Sequence, residues 1–341
     1  MRIILRFIVT LIAGLLLSLP GKGQDIHYTL FDTYSLYLNP ALAGHFQGTW
    51  RFTANHKSQW RSVTLPFTTF SIGIDRHFGF KKNRRDLIGA GFSVNKDKAG
   101  DSEFGTVQPA ISVSYIRILD MAGTRFFSVG IQNSAAQRTI NYSKLKFDSQ
   151  FNGFTYDPSA ISGESFPTEN FWFYDLIAGV NYMQIINNYS TWNTGLAISH
   201  INKPRQTLFQ NNAIKLDSKF VFYTNFLWKV KKGGYVYPTL LYADQGKYRE
   251  LLIGVQYKSI RNFSSAKYSA IYTGLYFRAG DAINVMLGMD QRKTFFALSY
   301  DFNISGLHPA SNYLGGIELA IIHKIQKVKV NRIKELPCPI F

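Results

Sequence analysis

Cysteine is almost absent. The single one, Cys338, is fourth from the end of the 341 residues, so no disulfide can close within the chain and no multi-thiolate metal site can be built. Histidine is scattered as His27, His45, His56, His77, His200, His308 and His323, without the i, i+4 pair and neighbouring Glu of a zinc helix. A Gly-x-Gly-x-x-Gly turn, a phosphate-binding loop and a Gly-x-Ser-x-Gly elbow are also missing. Asp97, Asp101 and Glu103 gather around Gly100 but lack the ligand spacing of a dedicated calcium loop. No catalytic, cofactor or metal residues emerge, and a non-enzymatic role is expected.

Long apolar runs are confined to the start. Arg2 and Arg6 flank Phe7 to Leu19, and Pro20-Gly21-Lys22-Gly23 supplies small residues before Gln24, which is the pattern of a cleavable secretory signal over residues 1–23. The apolar core is shorter than the roughly 20 residues a spanning helix needs. Loss of Arg2, Arg6 and Lys22 takes the formal net charge from +17 to +14. An exported chain rarely meets nucleic acid, and the basic residues are dispersed, so an anionic lipid surface or acidic partner fits better, beside the plainer role of solvating loops.

Charged residues make up only 17% of the chain, whereas aromatic residues reach 16%, with 28 Phe and 20 Tyr. Apolar residues alternate with small or polar ones. Leu251, Ile253, Val255 and Tyr257 interleave with Leu252, Gly254, Gln256 and Lys258, and Phe296, Leu298, Tyr300 and Phe302 with Ala297, Ser299, Asp301 and Asn303. The same holds for Phe127, Val129 and Ile131 and for Ile111, Val113 and Tyr115. This period of two predicts strands with one apolar face.

Fourteen such runs occur: 48–56, 67–77, 86–95, 105–118, 124–134, 172–184, 190–201, 218–228, 233–243, 250–258, 267–278, 282–290, 293–303 and 315–323. Their even number, lengths near those of tilted membrane strands, and alternation of tight turns with longer polar connections predict an all-β, transmembrane antiparallel β-barrel of fourteen strands. Closing the sheet leaves no unpaired edge. A secreted β-sandwich would share the alternation, but its two inner faces need fewer aromatics. One barrel domain over 48–323 is expected. A lead-in over 24–47 has the lumen as its candidate destination, and a basic tail over 324–341 could meet lipid phosphates or a neighbouring protein.

The stretch YLNPALAG followed by NHKSQW resembles the opening signature of the PorP/SprF family of Bacteroidetes outer-membrane proteins. Asn39, Pro40, Ala41, Gly44, Asn55, Gln59 and Trp60 match it, and Lys57 stands where Arg is usual. GLAISHINKP, with His200 and Pro204, resembles the family's central segment; YPTLLYADQGKYRELLIGVQY resembles its Pro-led hairpin. SYDFNISGL, with Tyr300 and Asp301, and GGIELAI resemble its final hairpin, and Cys338-Pro339 its ending. The resemblance implies a type IX secretion barrel that binds a secreted surface protein, often through that protein's C-terminal sorting domain, and supports its export or attachment, with adhesins and gliding motility in some members. Other secretion components and outer-membrane lipid are the remaining implied partners. A porin or hydrophobic-solute transporter is the alternative, to be separated by whether the lumen is open or occupied. Asn39-Pro40 is expected to end the lead-in, and Ala41 to Gly44 to let the backbone pack closely before the first strand.

Overall fold

A computed structural model describes residues 25–325, apart from 63–64, 80–84, 101, 165–167, 207–214, 232, 263–267 and 307. The expected signal segment, most of the basic tail, and Cys338 and Pro339 lie outside the described residues.

Fourteen strands form: β1 (Trp50–Gln59), β2 (Phe67–Gly79), β3 (Asp86–Ala99), β4 (Phe104–Ile118) and β5 (Arg125–Thr139). They continue with β6 (Asn170–Asn187), β7 (Ser190–Ser199), β8 (Lys219–Lys231), β9 (Gly234–Gln245) and β10 (Tyr248–Asn262). The last four are β11 (Ser269–Arg278), β12 (Ala282–Gln291), β13 (Thr294–Asn303) and β14 (Leu314–Ile325). Each pairs antiparallel with its sequence neighbours, and β1 pairs with β14 from Trp50↔Ile325 to Gln59↔Gly316, so the barrel closes. Closure pairs the edge N–H and C=O groups that a bilayer could not solvate.

The alternation read from the sequence sorts onto the two faces as expected. Ile253, Val255 and Tyr257 point outward and are exposed to the membrane side, whereas Leu252 and Gln256 are buried toward the lumen. Phe296, Leu298 and Phe302 likewise face out, with Ala297, Ser299, Asp301 and Asn303 inside. Among the described residues no helix is long and apolar enough to cross a membrane. Trp172 and Tyr174 stand exposed near one end of the outer face, and Trp228 and Tyr189 near the other, in the manner of interfacial aromatic girdles.

One end of the barrel carries the longer connections, residues 140–169, 200–218 and 304–313; the other carries turns such as 188–189 and 292–293. Bacterial barrels turn their long loops outward and their short turns to the periplasm. The strands overrun several expected limits. β5 continues to Thr139 and β6 starts at Asn170, which shortens the long connection from both sides. The added residues, Ala135 to Thr139 on β5 and Asn170-Phe171 on β6, mix small, polar and aromatic side chains without a clean apolar face, so the sequence pattern fades there although the ladder continues.

Candidate functional site

The lumen is occupied by the chain's own lead-in. Asp25 lies against His200, just beyond β7 at the long-loop end. The segment then descends, with 3-10 turns at Phe31–Thr33 and Pro40–Leu42 and a single α-turn at Ser35–Leu38, until Thr49 N–H bonds the Ile325 carbonyl at 2.6 Å at the short-turn end. Leu30, Tyr34, Leu36, Asn39, Ala41 and Ala43 are at most 1% exposed. Residues 25–47 are therefore a plug built into the barrel.

The Asn-Pro turn fixes the plug at mid-height. Asn39 Oδ1 accepts from the Ala41 N–H at 2.9 Å, capping the 3-10 turn, and Pro40 occupies its first position, where no N–H is missed. Asn39 Nδ2 donates to the carbonyls of Val180 (2.9 Å) and Leu196 (3.2 Å) and to the Tyr223 hydroxyl (3.3 Å). One buried amide thus joins the turn to β6, β7 and β8.

Beneath the turn the wall carries a row of small residues in direct cross-strand register: Gly89, Ser114, Gly130, Gly179 and Ala197, on β3 to β7. A Cβ placed on Gly130 would lie 2.5 Å from the Pro40 carbonyl carbon and 2.6 Å from its oxygen. The Ala43 carbonyl meets Gly89 in the same way, and the Asn39 side-chain amide meets Gly179. The backbone of residues 39–44 therefore lies flat on a shelf, where Ser128 and Ser114 hydroxyls donate to the Ala41 (2.8 Å) and Ala43 (2.6 Å) carbonyls. Close backbone packing at Ala41 to Gly44 was the sequence expectation; its counterpart in the wall was not read, because only the strand register aligns those residues.

Below the shelf, Arg51 and Asp75 pair at 2.6 Å, and both also grip the plug: Arg51 Nη2 donates to the Leu42 carbonyl at 3.0 Å, and Asp75 Oδ2 accepts from Gly44 N–H at 2.7 Å. Gly44 has φ +68, the left-handed conformation in which glycine is unstrained. Above the shelf, Glu318 accepts the N–H groups of Thr29 (2.9 Å) and Leu30 (3.0 Å). Asn55 Nδ2 donates to Thr33 Oγ1 at 2.6 Å, and Lys57 Nζ to the His27 carbonyl at 3.1 Å. Lys57 lies 3.8 Å from Asp301, which together with Glu250 (3.2 Å) and Asp281 (2.8 Å) surrounds Arg278. Buried charges persist only when partnered; these ion pairs lie within the wall, and Arg51, Asp75, Lys57 and Glu318 each add hydrogen bonds that tie the plug to it.

At the outer mouth, His200 Nε2 lies 2.6 Å from Asp25 Oδ2, and Nδ1 is within 3.0 Å of Asp175 Oδ1, an ion-pair distance without hydrogen-bond alignment. Burial alone would lower the His200 pKa, but the adjacent carboxylates of Asp175 and Asp25 carry it up to about 9. The imidazolium is thus a latch between the plug's leading end and β6, with Lys219 4.0 Å from the same Asp25 oxygen. A cleft opens beside this latch, lined by Tyr37, Arg138, Phe173 and Lys219 among others.

The residues singled out from the sequence divide by position. Asn39, Pro40, Ala41, Gly44, Asn55, Lys57, Asp301 and His200 meet at the plug–wall contact. Gln59 ends β1, and Trp60 turns the chain there with φ 59, its ring 5.2 Å from that of Phe67. Pro204 is buried in the 200–218 connection and accepts from Leu216 N–H, while Tyr300 stacks edge-on against Phe302 at 4.9 Å. Of the acidic cluster, Glu103 is paired with Lys144 and Lys98, and Asp97 accepts from Thr69; Asp101 lies outside the described residues. Asp25, Arg51, Asp75, Arg278 and Glu318 were not singled out. Glu318 had a signal, the one acid of β14 and at an inward position, but its partners lie nearly 290 residues away in sequence.

The sequence matches the family described as "Type IX secretion system membrane protein PorP/SprF" over residues 21–316. A search of curated proteins finds no match. Similar solved structures include the P. putida toluene transporter TodX, with TM-score 0.50 and 9% identity over 85% of this chain and 93% of that one. Another is the CymD monoaromatic hydrocarbon channel, with TM-score 0.46 and 9% identity over 89% of this chain and 96% of that one. At such identity the likeness to TodX speaks for the barrel fold alone. The family match over most of the length, together with the closed barrel, identifies the chain as a member of the PorP/SprF family of type IX secretion system membrane proteins, integral to the outer membrane.

Proposed function

We propose that this barrel is a non-enzymatic docking protein, which binds a secreted or cell-surface protein at its outer mouth and supports that protein's secretion or attachment. The observation that carries the reading is the occupied lumen. A diffusive porin needs a water-filled passage, whereas here residues 25–47 run through the barrel and bond to its wall from end to end. With the interior taken, the surface left for a partner is the long-loop end. There the 140–169 connection presents Phe154 and Ile161 at 93% and 88% exposure, apolar side chains of the kind that mark interaction surfaces. Membership of the secretion family supplies the class of partner, other type IX components among them.

The test is purification from native membrane in mild detergent, with identification of what accompanies the barrel and with its conductance in a planar bilayer. The docking reading expects a secreted protein in stoichiometric company and a silent barrel. A barrel that emerges alone and conducts ions freely would return the porin or solute-transporter alternative.

A further inference from the structure

The shelf that seats the plug has an outer counterpart. On the membrane side of the same five strands, β3 to β7, and of β8 beside them, lies a dent of about 710 Å³. Its walls are Ile88, Val113, Ile131, Val180, Ile198 and Phe220, each next in sequence to a member of the inner row or its continuation at Val221. Its floor is the outer side of Gly130 and Gly179, with the small outward-facing Ala178 between the larger neighbours. Because the row runs perpendicular to tilted strands, the dent is an oblique groove. It starts low, three residues from the short-turn end of β3, and finishes near the outer end of β7 and β8.

The groove's lower end is not apolar. Tyr115, in its lining, donates its hydroxyl to Asp86 at 2.9 Å, and Asp86 pairs with Arg117, two positions below Tyr115 on the same face. Arg125 projects from the adjacent β5 on that face, four positions below Val129. Three arginines, Arg85, Arg117 and Arg125, and two carboxylates, Asp86 and Asp120, thus stand where the short-turn end meets the phosphates of the periplasmic leaflet. A long apolar groove with a cationic foot matches an acyl chain joined to an anionic head group.

We infer that this groove is a binding site for one phospholipid, with an acyl chain lying along the outside of the shelf and its phosphate at Arg117 and Arg125. The flexible chain fills an oblique depression that a regular sheet face from another barrel would bridge. The site lies on the opposite side of the wall from the Asn39–Gly44 turn, and it stands independently of the docking reading.

Native mass spectrometry of the detergent-extracted protein tests this. The wild type should retain one phospholipid per barrel. Ala178→Trp, which fills the floor from outside, should lower retention at least tenfold, and Arg117→Gln with Arg125→Gln should lower it severalfold. Leu287→Trp, on the outward face of β12 away from the groove, should leave it unchanged. Heat-dependent gel migration confirms that each variant is a folded barrel. Retention that is absent in the wild type, or equal in Ala178→Trp, overturns the inference. So does a second protein or second copy of the chain that is lost on Ala178→Trp, since that would make the groove a protein interface.

Discussion

Gly130→Ala adds one methyl group where the plug lies closest to the wall. The new Cβ would sit 2.5 and 2.6 Å from the Pro40 carbonyl atoms, against an ordinary carbon contact of about 3.5–4.0 Å, so the turn must retreat by roughly 1 Å. That retreat stretches the 2.8 Å bond from Ser128 to the Ala41 carbonyl beyond hydrogen-bonding distance. Overpacking of this kind costs about 1–3 kcal/mol and the lost bond about 1 kcal/mol more. Alanine is acceptable in β5 itself, so the cost falls on the seated plug and not on the ladder. At about 1.4 kcal/mol per tenfold, the unseated fraction should rise roughly 30- to 1,000-fold. Single-barrel recordings in a planar bilayer should then show frequent openings in the variant and few in the wild type, while heat-dependent migration stays unchanged. Val129→Ala, next door on the membrane face, is the control. If Gly130→Ala conducts no more than wild type and protects residues 25–47 equally from protease, the shelf does not seat the plug.

Asn39→Ala removes the cap of the 3-10 turn and three donor contacts at once, and should cost the plug about 2–3 kcal/mol, read as faster amide exchange over residues 35–44 than in β10. Asp75→Ala leaves the buried Arg51 without its carboxylate and should destabilise the barrel by about 3–5 kcal/mol in urea unfolding, whereas Asp75→Ala with Arg51→Met should recover much of that loss. His200 gives a pH dependence of definite sign. Its pKa in the fold lies above the ordinary histidine value, so its contribution is fully present below about pH 6.5 and is lost as pH rises through about 9. Protease access at the plug's leading end should rise over that window, and His200→Gln should abolish the dependence; equal access at pH 6 and pH 10 in the wild type would contradict the latch.

The barrel was legible because its code is local. Ile253, Val255 and Tyr257 announce a membrane face within one strand, and fourteen such runs repeat it. The rims of β5 and β6 were less legible, since beyond the bilayer neither face must be apolar. The plug was half legible. The Asn-Pro turn and the small residues after it signalled close packing ahead of β1, but the depth of burial of Leu30, Tyr34 and Leu36 had no periodic mark. The shelf and the charged anchors were hidden for a different reason. Gly89, Gly130 and Gly179 are tens of residues apart and become one surface only through strand register, and Glu318 meets Thr29 only because β14 closes on β1.

A photo-crosslinking residue at Phe154, in the long loop, and another at Met121, in a short turn at the opposite end, test the docking claim most directly in living cells. Both side chains are largely exposed, at 93% and 88%, so access is matched. The account predicts a discrete adduct with a secreted or surface protein from position 154 and none of that mass from position 121. No adduct from position 154, or the same adduct from both ends, would contradict it.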